Sequence, residues 1–457
     1  MDITFKGRKI AAVGLGVSNL ALIDFLQKHG ADQIIACDRK KWDKLGPEAQ
    51  KLAAKGITLQ LAEEYLEGLE DCDWIFLTPG MRRDWPQLVR ARERGVKFSS
   101  EIALFMRLCP APIVGITGSS GKTTTTTLVG KILGQNHRVH VGGNIGQPLI
   151  GQLETIKPDE LVVLELSSFQ LQDLKSSPQF ASILNITPNH LDLHSSMEEY
   201  AQAKYNIVRY QTAGSWAVLN KDNPASWQAG CETAARIIPF SLREELAEGA
   251  FLQDDRLLWR FGGKEALICR TGELKLLGIH NVSNALAATA LSCIAGAEVS
   301  AASAVLTSFT GVEHRLELVR ELEGVKYYND SIATTPARTL AALAALSAPI
   351  HLIAGGYDKR LPFAELAAYI CKQSSVQTVF TLGVTAEKIE QAICRAPGRK
   401  PAIQRCQSLE EAVKKAAAQA KAGEVVLLSP ACASYDMFPN FMARGELFKK
   451  LVEGLES

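Results

Sequence analysis

The residues of this chain that are best suited to chemistry stand together in one short segment: Thr117-Gly118-Ser119-Ser120-Gly121-Lys122-Thr123-Thr124. An apolar run precedes the segment, so a buried strand, a glycine turn and a helix are expected. Glycines let the backbone turn its N–H groups toward an anion, and a helix that starts at Lys122 points its positive dipole end at the same anion. Lys122 then reaches the β and γ phosphates of a nucleotide, and the Thr123 hydroxyl is the usual inner ligand of a magnesium ion. The segment predicts nucleotide binding.

This phosphate loop departs from the strict eight-residue motif, because Ile116 stands where that motif has its first glycine. A turn rich in glycine and serine that binds no ligand is the alternative interpretation. Lysine and threonine placed directly at the helix start favour the nucleotide site.

Other polar side chains follow apolar runs that predict neighbouring strands. Glu165 comes directly after the run 161–164, and His190 lies just beyond the run 180–186. The carboxyl ends of parallel strands meet at one edge of a sheet, so both side chains are candidate metal ligands beside the phosphate loop. The alternatives are a helix-capping role for Glu165 and an ordinary surface position for His190. Lys204, taken alone, has the pattern of a solvated helix lysine.

A second glycine turn, Gly14-Leu15-Gly16-Val17-Ser18-Asn19, follows an apolar run near the start of the chain. The next apolar run ends in Asp38, about twenty residues on, where a Rossmann unit carries its ribose-binding acid. Asn19 occupies the place of the third glycine, so this fingerprint is incomplete. The turn fits a nicotinamide or flavin dinucleotide, and it fits any other nucleotide-like ligand as well.

Composition limits the function classes. Fifty basic and forty-nine acidic side chains give a formal charge of +1, which provides no electrostatic surface for nucleic acid or an anionic membrane. The ten cysteines are scattered with no Cys-x-x-Cys pair, so reduced thiols in a cytosolic protein are expected, with neither disulfides nor a zinc site. The first residues lack the apolar core of a signal peptide, and the most apolar stretch, 340–355, is interrupted by polar residues, so no membrane insertion is expected.

The predicted architecture is α/β with three domains, because 457 residues exceed one core and strands alternate with helices throughout. A proline-rich connector, 109–112, and the segment near Gly311 mark the boundaries. We expect a Rossmann-like domain at 1–109, a central phosphate-loop domain at 110–311 and a second doubly wound domain at 312–457. In the last domain, polar segments follow the strands 325–329, 350–354 and 425–428, so a ligand is expected along that edge.

The ordered set of motifs resembles the Mur ligases of bacterial cell-wall synthesis, and the resemblance extends from Gly14 to Gly445. The motifs are Thr-Gly-Ser-Ser-Gly-Lys-Thr, Gly-Gly-Asn-Ile-Gly, Glu-Leu-Ser-Ser-Phe-Gln, Asn-His-Leu-Asp followed by Lys204, His-Asn, Glu-His-Arg and Asn-Asp-Ser. The segment Ser-Pro-Ala-Cys-Ala-Ser at 429–434, with Asp436, Phe438, Phe441 and Arg444-Gly445, is similar to that of the members that add D-glutamate.

The resemblance implies a UDP-binding domain, a central ATPase domain and a domain that brings the amino acid. It also implies the following site residues. The residues implied to bind ATP are Gly118, Ser119, Ser120, Gly121, Lys122, Thr123, Thr124, Asn281, Asn284, Arg315 and Asp330. The UDP-substrate is assigned to Gly16, Ser18, Asn19, Asp38, Thr78, Pro79, Gly80, Asn144, Ser167 and Gln170. The amino acid is assigned to Thr334, Lys359, Ser434 and Phe441.

For catalysis, the resemblance implies Lys122, Glu165, His190 and Lys204, with two magnesium ions held by Thr123, Glu165, His190 and a carbamylated Lys204. The implied substrates are ATP, UDP-N-acetylmuramoyl-L-alanine and D-glutamate, and the implied product contains a new amide. We expect a cytoplasmic monomer that binds small molecules.

One departure concerns Ile332, since many members carry lysine after the Asn-Asp-Ser segment. Another amino-acid-adding ligase, including one like folylpolyglutamate synthase, is the nearest alternative, although the segment 429–434 argues against it. A nucleotide-binding switch would not need Glu165, His190 and Lys204 together. A NAD-dependent oxidoreductase would leave the central domain unexplained.

Overall fold

The structure is a computed structural model, and it describes residues 5–188, 196–276, 278–359 and 361–456. By their internal contacts the residues divide into two compact units, Met1–Phe309 and Thr310–Ser457. The first unit contains two sheets and the second unit contains one.

The first sheet is parallel and is built by the beginning of the chain. Its strands are β1 (Lys9–Val13), β2 (Gln33–Asp38), β3 (Thr58–Leu61), β4 (Trp74–Leu77) and β5 (Lys97–Ser99), in the spatial order β3-β2-β1-β4-β5. The helices of this region are α1 (Val17–Lys28), α2 (Trp42–Leu45), α3 (Pro47–Ala54), α4 (Pro86–Glu93) and α5 (Glu101–Leu108). The order reverses at β1, so the glycine turn that follows β1 lies at a topological switch point.

The central sheet combines a parallel part with an antiparallel extension. Its strands are β6 (Ile113–Thr117), β7 (Val139–Gly143), β8 (Leu161–Glu165), β9 (Phe180–Ile183), β10 (Trp216–Asn220), β11 (Arg236–Ser241), β12 (Gly249–Gln253), β13 (Arg256–Phe261) and β14 (Lys264–Arg270). Their order is β14-β13-β12-β11-β10-β9-β6-β8-β7, and β13 pairs antiparallel with both β12 and β14. The helices are α6 (Lys122–Leu133), α7 (Ser168–Leu171), α8 (Met197–Arg209), α9 (Pro224–Gln228), α10 (Ile279–Ile294) and α11 (Val299–Ser308).

The second unit is a doubly wound sheet with one antiparallel edge strand. Its strands are β15 (Glu317–Leu322), β16 (Val325–Asn329), β17 (Ile350–Gly355), β18 (Val376–Leu382), β19 (Ala402–Arg405) and β20 (Val425–Leu428), in the order β15-β16-β20-β17-β18-β19. Its helices are α12 (Pro336–Ala345), α13 (Ala364–Lys372), α14 (Ala386–Arg395), α15 (Leu409–Gln419) and α16 (Phe441–Glu453).

One hydrophobic core connects the two sheets of the first unit. It includes Leu22 of α1, Phe105 of α5, Ile150 of the 3-10 helix Leu149–Thr155 and Val162 of β8, all of them fully buried. Because the middle strands of parallel sheets are covered on both faces, they are mostly apolar, and β6 and β8 are buried at every residue. This rigid pair of strands positions the polar residues that follow them.

The predicted α/β class with parallel sheets is confirmed. The predicted strand at 180–186 is too long, since β9 ends at Ile183. Beyond that point the backbone leaves the ladder, because the carbonyl of Asn185 accepts from Ser119 N–H at 2.8 Å and Ile186 N–H donates to the side chain of Asn223 at 3.1 Å. The antiparallel extension, β12 to β14, had no counterpart in the sequence analysis.

In the part of the chain that the structure describes, no helix has the length and apolar character needed to cross a membrane. The division into three domains at residues 109/110 and 311/312 stays a prediction.

Candidate functional site

The phosphate loop joins β6 to α6, as its sequence predicts. Gly118 and Gly121 have φ values of +158° and +81°, and the second of these lies in the left-handed region that favours glycine. A Cβ atom on Gly121 would also collide with the side-chain oxygen of Asn284. Glycine is therefore required at position 121 both for its backbone conformation and for the close approach of α10.

Asn185 fixes the loop from the neighbouring strand, and sequence reasoning missed this residue. Its carbonyl accepts from Ser119 N–H at 2.8 Å, and its side-chain oxygen accepts from Ser120 N–H at 2.9 Å. Two loop N–H groups that were expected to face an anion are thus bonded to Asn185. The only sequence signal was an asparagine two residues after the buried strand β9.

The Lys122 ammonium folds back over the loop. It donates to the carbonyl oxygens of Gly118 at 2.8 Å and Ser119 at 3.3 Å. Lys122 is the first residue of α6, so its charge lies at the helix end that already attracts anions. Thr123 and Thr124 follow it in the first turn of α6, with Thr123 half-buried and Thr124 buried.

Lys204 is buried beneath the same loop, which differs from the solvated position that its local pattern indicates. Its side chain lies in α8 and is only 1% exposed. The ammonium donates to the Gly118 carbonyl at 3.1 Å and to the Thr117 hydroxyl at 3.3 Å, and it lies 4.7 Å from the ring centre of Tyr200. The Tyr200 hydroxyl in turn lies 3.1 Å from the Ser119 hydroxyl. Tyr200 is a second residue that sequence reasoning missed.

The electrostatic surroundings of Lys204 favour its uncharged form. Burial holds the pKa of Lys204 well below its ordinary value of 10.5, the charge of Lys122 lowers this pKa further, and Glu165 acts in the opposite direction. An amine in this state is a nucleophile, whereas an ammonium is not.

Glu165 ends β8 beside the loop and is 2% exposed. The side-chain amide of Asn144 donates to its Oε1 at 2.8 Å, and the Asn144 N–H donates to its carbonyl oxygen at 2.8 Å. Among the described residues, no hydrogen-bond donor reaches the buried Oε2. The helix that follows is capped by Ser167 and not by Glu165. A buried carboxylate oxygen without a donor is available to a cation.

The remaining predicted residues of the central domain lie in two places. Asn281 and Asn284 are joined by a 3.1 Å hydrogen bond on α10, and Asn284 contacts the phosphate loop at Gly121. Ser167 and Gln170 form a reciprocal capping box, with hydrogen bonds of 3.0 and 3.2 Å, at the start of α7. His190 lies outside the described residues.

The predicted UDP residues of the first sheet gather at its switch point. A Cβ on Gly14 would lie 2.5 Å from a Thr78 methyl group, so the glycine turn and the turn at 78–80 are in close contact. The Asn19 amide donates to the carbonyl oxygens of Val13 and Gly14, each at 2.9 Å, while its buried Oδ1 has no partner among the described residues. Asp38 accepts from the N–H groups of Leu15 and Lys40, each at 2.8 Å, and thereby shapes the turn.

Around this group, Gly16 and Ser18 belong to the glycine turn and the start of α1, and a Cβ on Gly16 would meet open space. Pro79 and Gly80 continue from Thr78. A Cβ on Gly80 would lie 3.8 Å from the ring of Phe169, next to the capping box of the central sheet. The turn at 78–80 therefore faces α7 within the first unit.

In the second unit, the predicted residues lie at the carboxyl ends of β16, β17 and β20. Asp330 is buried and accepts from the Ser429 hydroxyl at 2.7 Å and from Leu316 N–H at 3.2 Å. Burial raises the pKa of Asp330 to about 6. Arg315 lies in the loop that precedes β15 and is exposed.

The predicted amino-acid pocket gathers at the same edge. The Lys359 ammonium donates to the Thr334 hydroxyl at 3.3 Å, and Tyr357 N–H donates to the Ala433 carbonyl at 2.9 Å, which places the turn after β17 beside Ser434. Phe441 begins α16, and its carbonyl accepts from the Ser331 hydroxyl at 2.7 Å.

Arg444 holds this edge together, although the sequence analysis gave it no role. It is 1% exposed and donates to Ser331 Oγ at 3.0 Å, to the Ser331 carbonyl at 2.8 Å and to the carbonyls of Cys432 and Ala433 at 3.1 and 3.3 Å. Burial lowers the pKa of Arg444 to about 10. The tips of β16 and β20 are thus joined through one guanidinium on α16.

Three regions of the chain match known protein families. Residues 8–100 match the N-terminal domain of Mur ligases described as MurD-like, residues 116–292 match the Mur ligase middle domain, and residues 314–432 match the Mur ligase glutamate ligase domain. The chain therefore belongs to the Mur ligase family, and it is an ATP-dependent ligase of peptidoglycan-precursor synthesis.

Two curated proteins are similar to this chain along nearly its whole length. The chain is 50% identical over 450 residues to a UDP-N-acetylmuramoylalanine--D-glutamate ligase from Symbiobacterium thermophilum, covering 98% of each chain. It is 46% identical over 454 residues to a ligase of the same name from Clostridium novyi, covering 98% of this chain and 97% of that one.

Solved structures agree on the fold. UDP-N-acetylmuramate-alanine ligase from Thermotoga maritima superposes with a TM-score of 0.56 at 19% identity, covering 98% of this chain and 99% of the other. The MurF ligase of the same organism, solved in complex with ADP, superposes with a TM-score of 0.54 at 18% identity, covering 98% of this chain and 96% of the other.

Proposed function

We propose that this protein joins D-glutamate to UDP-N-acetylmuramoyl-L-alanine at the expense of ATP. The observation that carries the proposal is the convergence of Lys122, Lys204 and Glu165 on one phosphate loop at the carboxyl edge of the central sheet. The names of the relatives supply the choice of substrates.

The reaction begins with attack of the alanine carboxylate on the γ-phosphate of ATP. A carboxylate–phosphorus bond forms, the bond to the bridging oxygen breaks, and ADP leaves. Two unit charges 4 Å apart at an effective dielectric of about 20 repel by about 4 kcal/mol, so cations must offset this repulsion. Lys122, held against the loop carbonyls by hydrogen bonds of 2.8 and 3.3 Å, lies where it can contact the transferred phosphate.

The acyl phosphate then reacts with the neutral amine of D-glutamate. The nitrogen bonds to the acyl carbon, the resulting tetrahedral intermediate loses inorganic phosphate, and the amine gives up a proton to leave the amide. Closely placed donors accelerate such a step by stabilising the developing oxyanion. We assign this task to the Lys122 ammonium in the first unit.

The oxygen atoms beside the phosphate loop are suitable ligands for magnesium. Glu165 offers a buried oxygen that has no donor among the described residues, and Thr123 offers a hydroxyl at the start of α6. An unmodified ammonium cannot bind a cation, but the depressed pKa of Lys204 favours the free amine that reacts with carbon dioxide to give a carbamate. Thr123, Glu165, His190 and carbamylated Lys204 would hold the two ions, which supply charge neutralisation during phosphoryl transfer.

The UDP end of the substrate is assigned to the switch point of the first sheet. The buried Oδ1 of Asn19, which lacks a partner in the described part of the chain, supports a polar ligand there. The contact between Gly14 and Thr78 leaves no space for a bulkier residue beneath that ligand. The nicotinamide interpretation of this turn is unnecessary, because a nucleotide of the UDP type uses the same features.

In the second unit, Arg315 and Asp330 are assigned to ATP, and Thr334, Lys359, Ser434 and Phe441 to D-glutamate. The hydrogen bond between Lys359 and Thr334 supports a pocket rich in donors. Such a pocket suits an amino acid with a second carboxylate. The cytoplasmic location and the monomeric state stay predictions.

The test is phosphate release from ATP with each candidate amino acid at saturating UDP-N-acetylmuramoyl-L-alanine. Release should require both substrates and should be fastest with D-glutamate. D-Glutamine and D-alanine should be poor substrates, because each buried donor left unpaired costs about 1–3 kcal/mol. Equal or faster release with L-glutamate, L-lysine or diaminopimelate would reject the assignment of D-glutamate.

A further inference from the structure

Asn185 bonds the phosphate loop through both its backbone and its side chain. Its backbone carbonyl accepts from Ser119 N–H at 2.8 Å. Its Oδ1 accepts from Ser120 N–H at 2.9 Å and from the Ser120 hydroxyl at 3.2 Å, and its Nδ2 donates to the Ser120 carbonyl at 3.2 Å. The orientation of the carboxamide is therefore fixed, because Oδ1 faces two donors while Nδ2 faces an acceptor.

These hydrogen bonds set the direction of two consecutive peptide groups of the loop. Both peptides are trans, so the carbonyl of each points away from its N–H group. The N–H groups of Ser119 and Ser120 point to Asn185. The opposite ends of the same two peptides are the carbonyls of Gly118 and Ser119, which accept from the Lys122 ammonium at 2.8 and 3.3 Å. Asn185 and Lys122 therefore bind opposite sides of the same two peptides.

Asn185 is itself held in place through its two neighbours in the chain. The Leu184 carbonyl accepts from Nδ2 of Asn220 at 2.8 Å, and Ile186 N–H donates to Oδ1 of Asn223 at 3.1 Å. Asn220 is the last residue of β10, and Asn223 caps α9. A residue that orients a functional group must be fixed by further contacts of this kind. The segment around Asn185 therefore has the support that a positioning role needs.

An alternative is that Oδ1 of Asn185 occupies the place of a phosphate oxygen and leaves when a nucleotide binds. The contact between Nδ2 and the Ser120 carbonyl argues against this, because a phosphate oxygen there would face a carbonyl oxygen without a donor between them. The Ser119 hydroxyl also lies 3.0 Å from both the N–H and the carbonyl of Thr187, which holds the loop against this segment a second time. The contacts favour an Asn185 that stays bonded to the loop.

We propose that Asn185 is a positioning residue for the reaction with ATP: it fixes the loop carbonyls that hold the Lys122 ammonium where the phosphates bind. Asn185 acts through Lys122 and contacts no substrate. A charge that is oriented before the reaction stabilises the transition state without a cost of reorganisation. The proposal rests on the proposed function, which assigns Lys122 to the phosphates of ATP.

The first test is binding of β,γ-imido-ATP, an analogue that cannot transfer its phosphate in the same way, with magnesium and measured by calorimetry. N185A removes the acceptor of Ser120 N–H and so releases the peptide that carries the Ser119 carbonyl. Its Kd for the analogue should rise by about tenfold, since each hydrogen bond lost typically contributes a factor of about 2 to 10. N136A removes an exposed asparagine from the same unit and should keep the wild-type Kd.

A double-mutant cycle tests whether Asn185 acts through Lys122. K122A should weaken binding of the analogue by itself. In the K122A background, N185A should raise the Kd by less than about twofold, because the ammonium that Asn185 positions is already absent. Two residues that act through one contact are non-additive in this way, whereas independent residues are additive.

The variant N223A separates positioning from a purely structural role. Asn223 bonds Ile186, next to Asn185, and the start of α9. N223A and N185A should both lower the Tm, but only N185A should weaken binding of the analogue and lower kcat. The KM values of N185A for D-glutamate and UDP-N-acetylmuramoyl-L-alanine should stay within about twofold of wild type. N185S supplies the measurement if N185A does not fold, because its shorter side chain does not reach Ser120 N–H.

Four results would overturn the proposal. They are an unchanged Kd for the analogue in folded N185A, an equal loss of affinity in N223A, an equal loss from N185A with and without Lys122, and tighter binding by N185A. The last result would show that Asn185 occupies the place of a phosphate. If instead K122A binds the analogue as wild type does, the assignment of Lys122 to the phosphates fails, and this result is separate from the effect of N185A.

Discussion

Lys122 and Lys204 donate to the same acceptor, the carbonyl oxygen of Gly118, at 2.8 and 3.1 Å. Two ammonium groups that share one neutral oxygen repel each other, and Lys204 is the buried one of the pair. Its pKa falls for both reasons, burial first and the charge of Lys122 second. The two lysines therefore differ: Lys122 is half-buried at the start of α6, whereas burial and the charge of Lys122 favour the uncharged form of Lys204.

Replacing Lys204 by alanine should abolish activity, because the carbamate that it is proposed to form is lost as a magnesium ligand. Added formate or acetate should restore part of the rate by supplying a carboxylate oxygen in the vacated space. Phosphate release measures the rate, and the ¹³C NMR spectrum of wild type in ¹³C-bicarbonate should show one carbamate signal that is absent from K204A. The control K175A, which changes an exposed lysine, should keep both the activity and the signal. Full activity of K204A would contradict the assignment.

Replacing Lys122 by alanine should reduce turnover by orders of magnitude and leave the fold intact. The physical reason is loss of the positive charge that offsets repulsion during phosphoryl transfer. Circular dichroism checks the fold and phosphate release gives the rate. K131A removes an exposed lysine from the same helix and should change the rate little. Near-normal turnover of folded K122A would show that the loop lysine does not contact the reacting phosphate.

Removing the Asn144 amide should weaken magnesium binding without abolishing it. Asn144 donates to Oε1 of Glu165 at 2.8 Å and so orients the free Oε2. Loss of such an orienting hydrogen bond typically reduces metal affinity by about tenfold to a hundredfold, so N144A should need correspondingly more magnesium for half-maximal rate. E165Q, which removes the charge itself, should not recover at any magnesium concentration. Identical magnesium titrations for N144A and wild type would argue against Glu165 as a ligand.

The raised pKa of Glu101 predicts that the stability of the first unit depends on pH. It is buried at the start of α5, accepts from Ile150 N–H, and burial raises its pKa from 4.5 to about 7. Between these two values the folded protein binds a proton that the unfolded chain releases, so stability decreases as pH rises from 4.5 to 7.

The variant E101Q removes this titration and retains an acceptor for Ile150 N–H. It should increase the free energy of unfolding by roughly 1–3 kcal/mol at pH 8 and change it little below pH 4. Thermal unfolding from pH 4 to 8.5 measures the difference from wild type. E93Q, at an exposed position of α4, is the matched control. A parallel shift of E101Q at all pH values would mean that the carboxyl does not titrate in this range.

Much of the fold follows from local sequence. The strand Val425–Leu428 lies where its apolar run predicts it, because a strand that is buried at every residue is apolar along its length. The strand Val325–Asn329 also lies where it is predicted, although Lys326 within it is exposed. The phosphate loop can likewise be recognised locally, since its glycines, lysine and threonine all lie within the segment 117–124.

The sequence by itself therefore determined the α/β class, the phosphate loop at 117–124 and, through the ordered motifs, the family. Only the tertiary structure decided that Lys204 is a buried amine, because its partner Gly118 lies 86 residues away and no local pattern encodes that contact. The same reason applies to Asn185 under the loop, 65 residues from Ser120, and to Arg444, 113 residues from Ser331. Burial, which lowers the pKa values of Lys204 and Arg444, and the neighbouring charge that lowers the pKa of Lys204 further arise only when distant segments pack together.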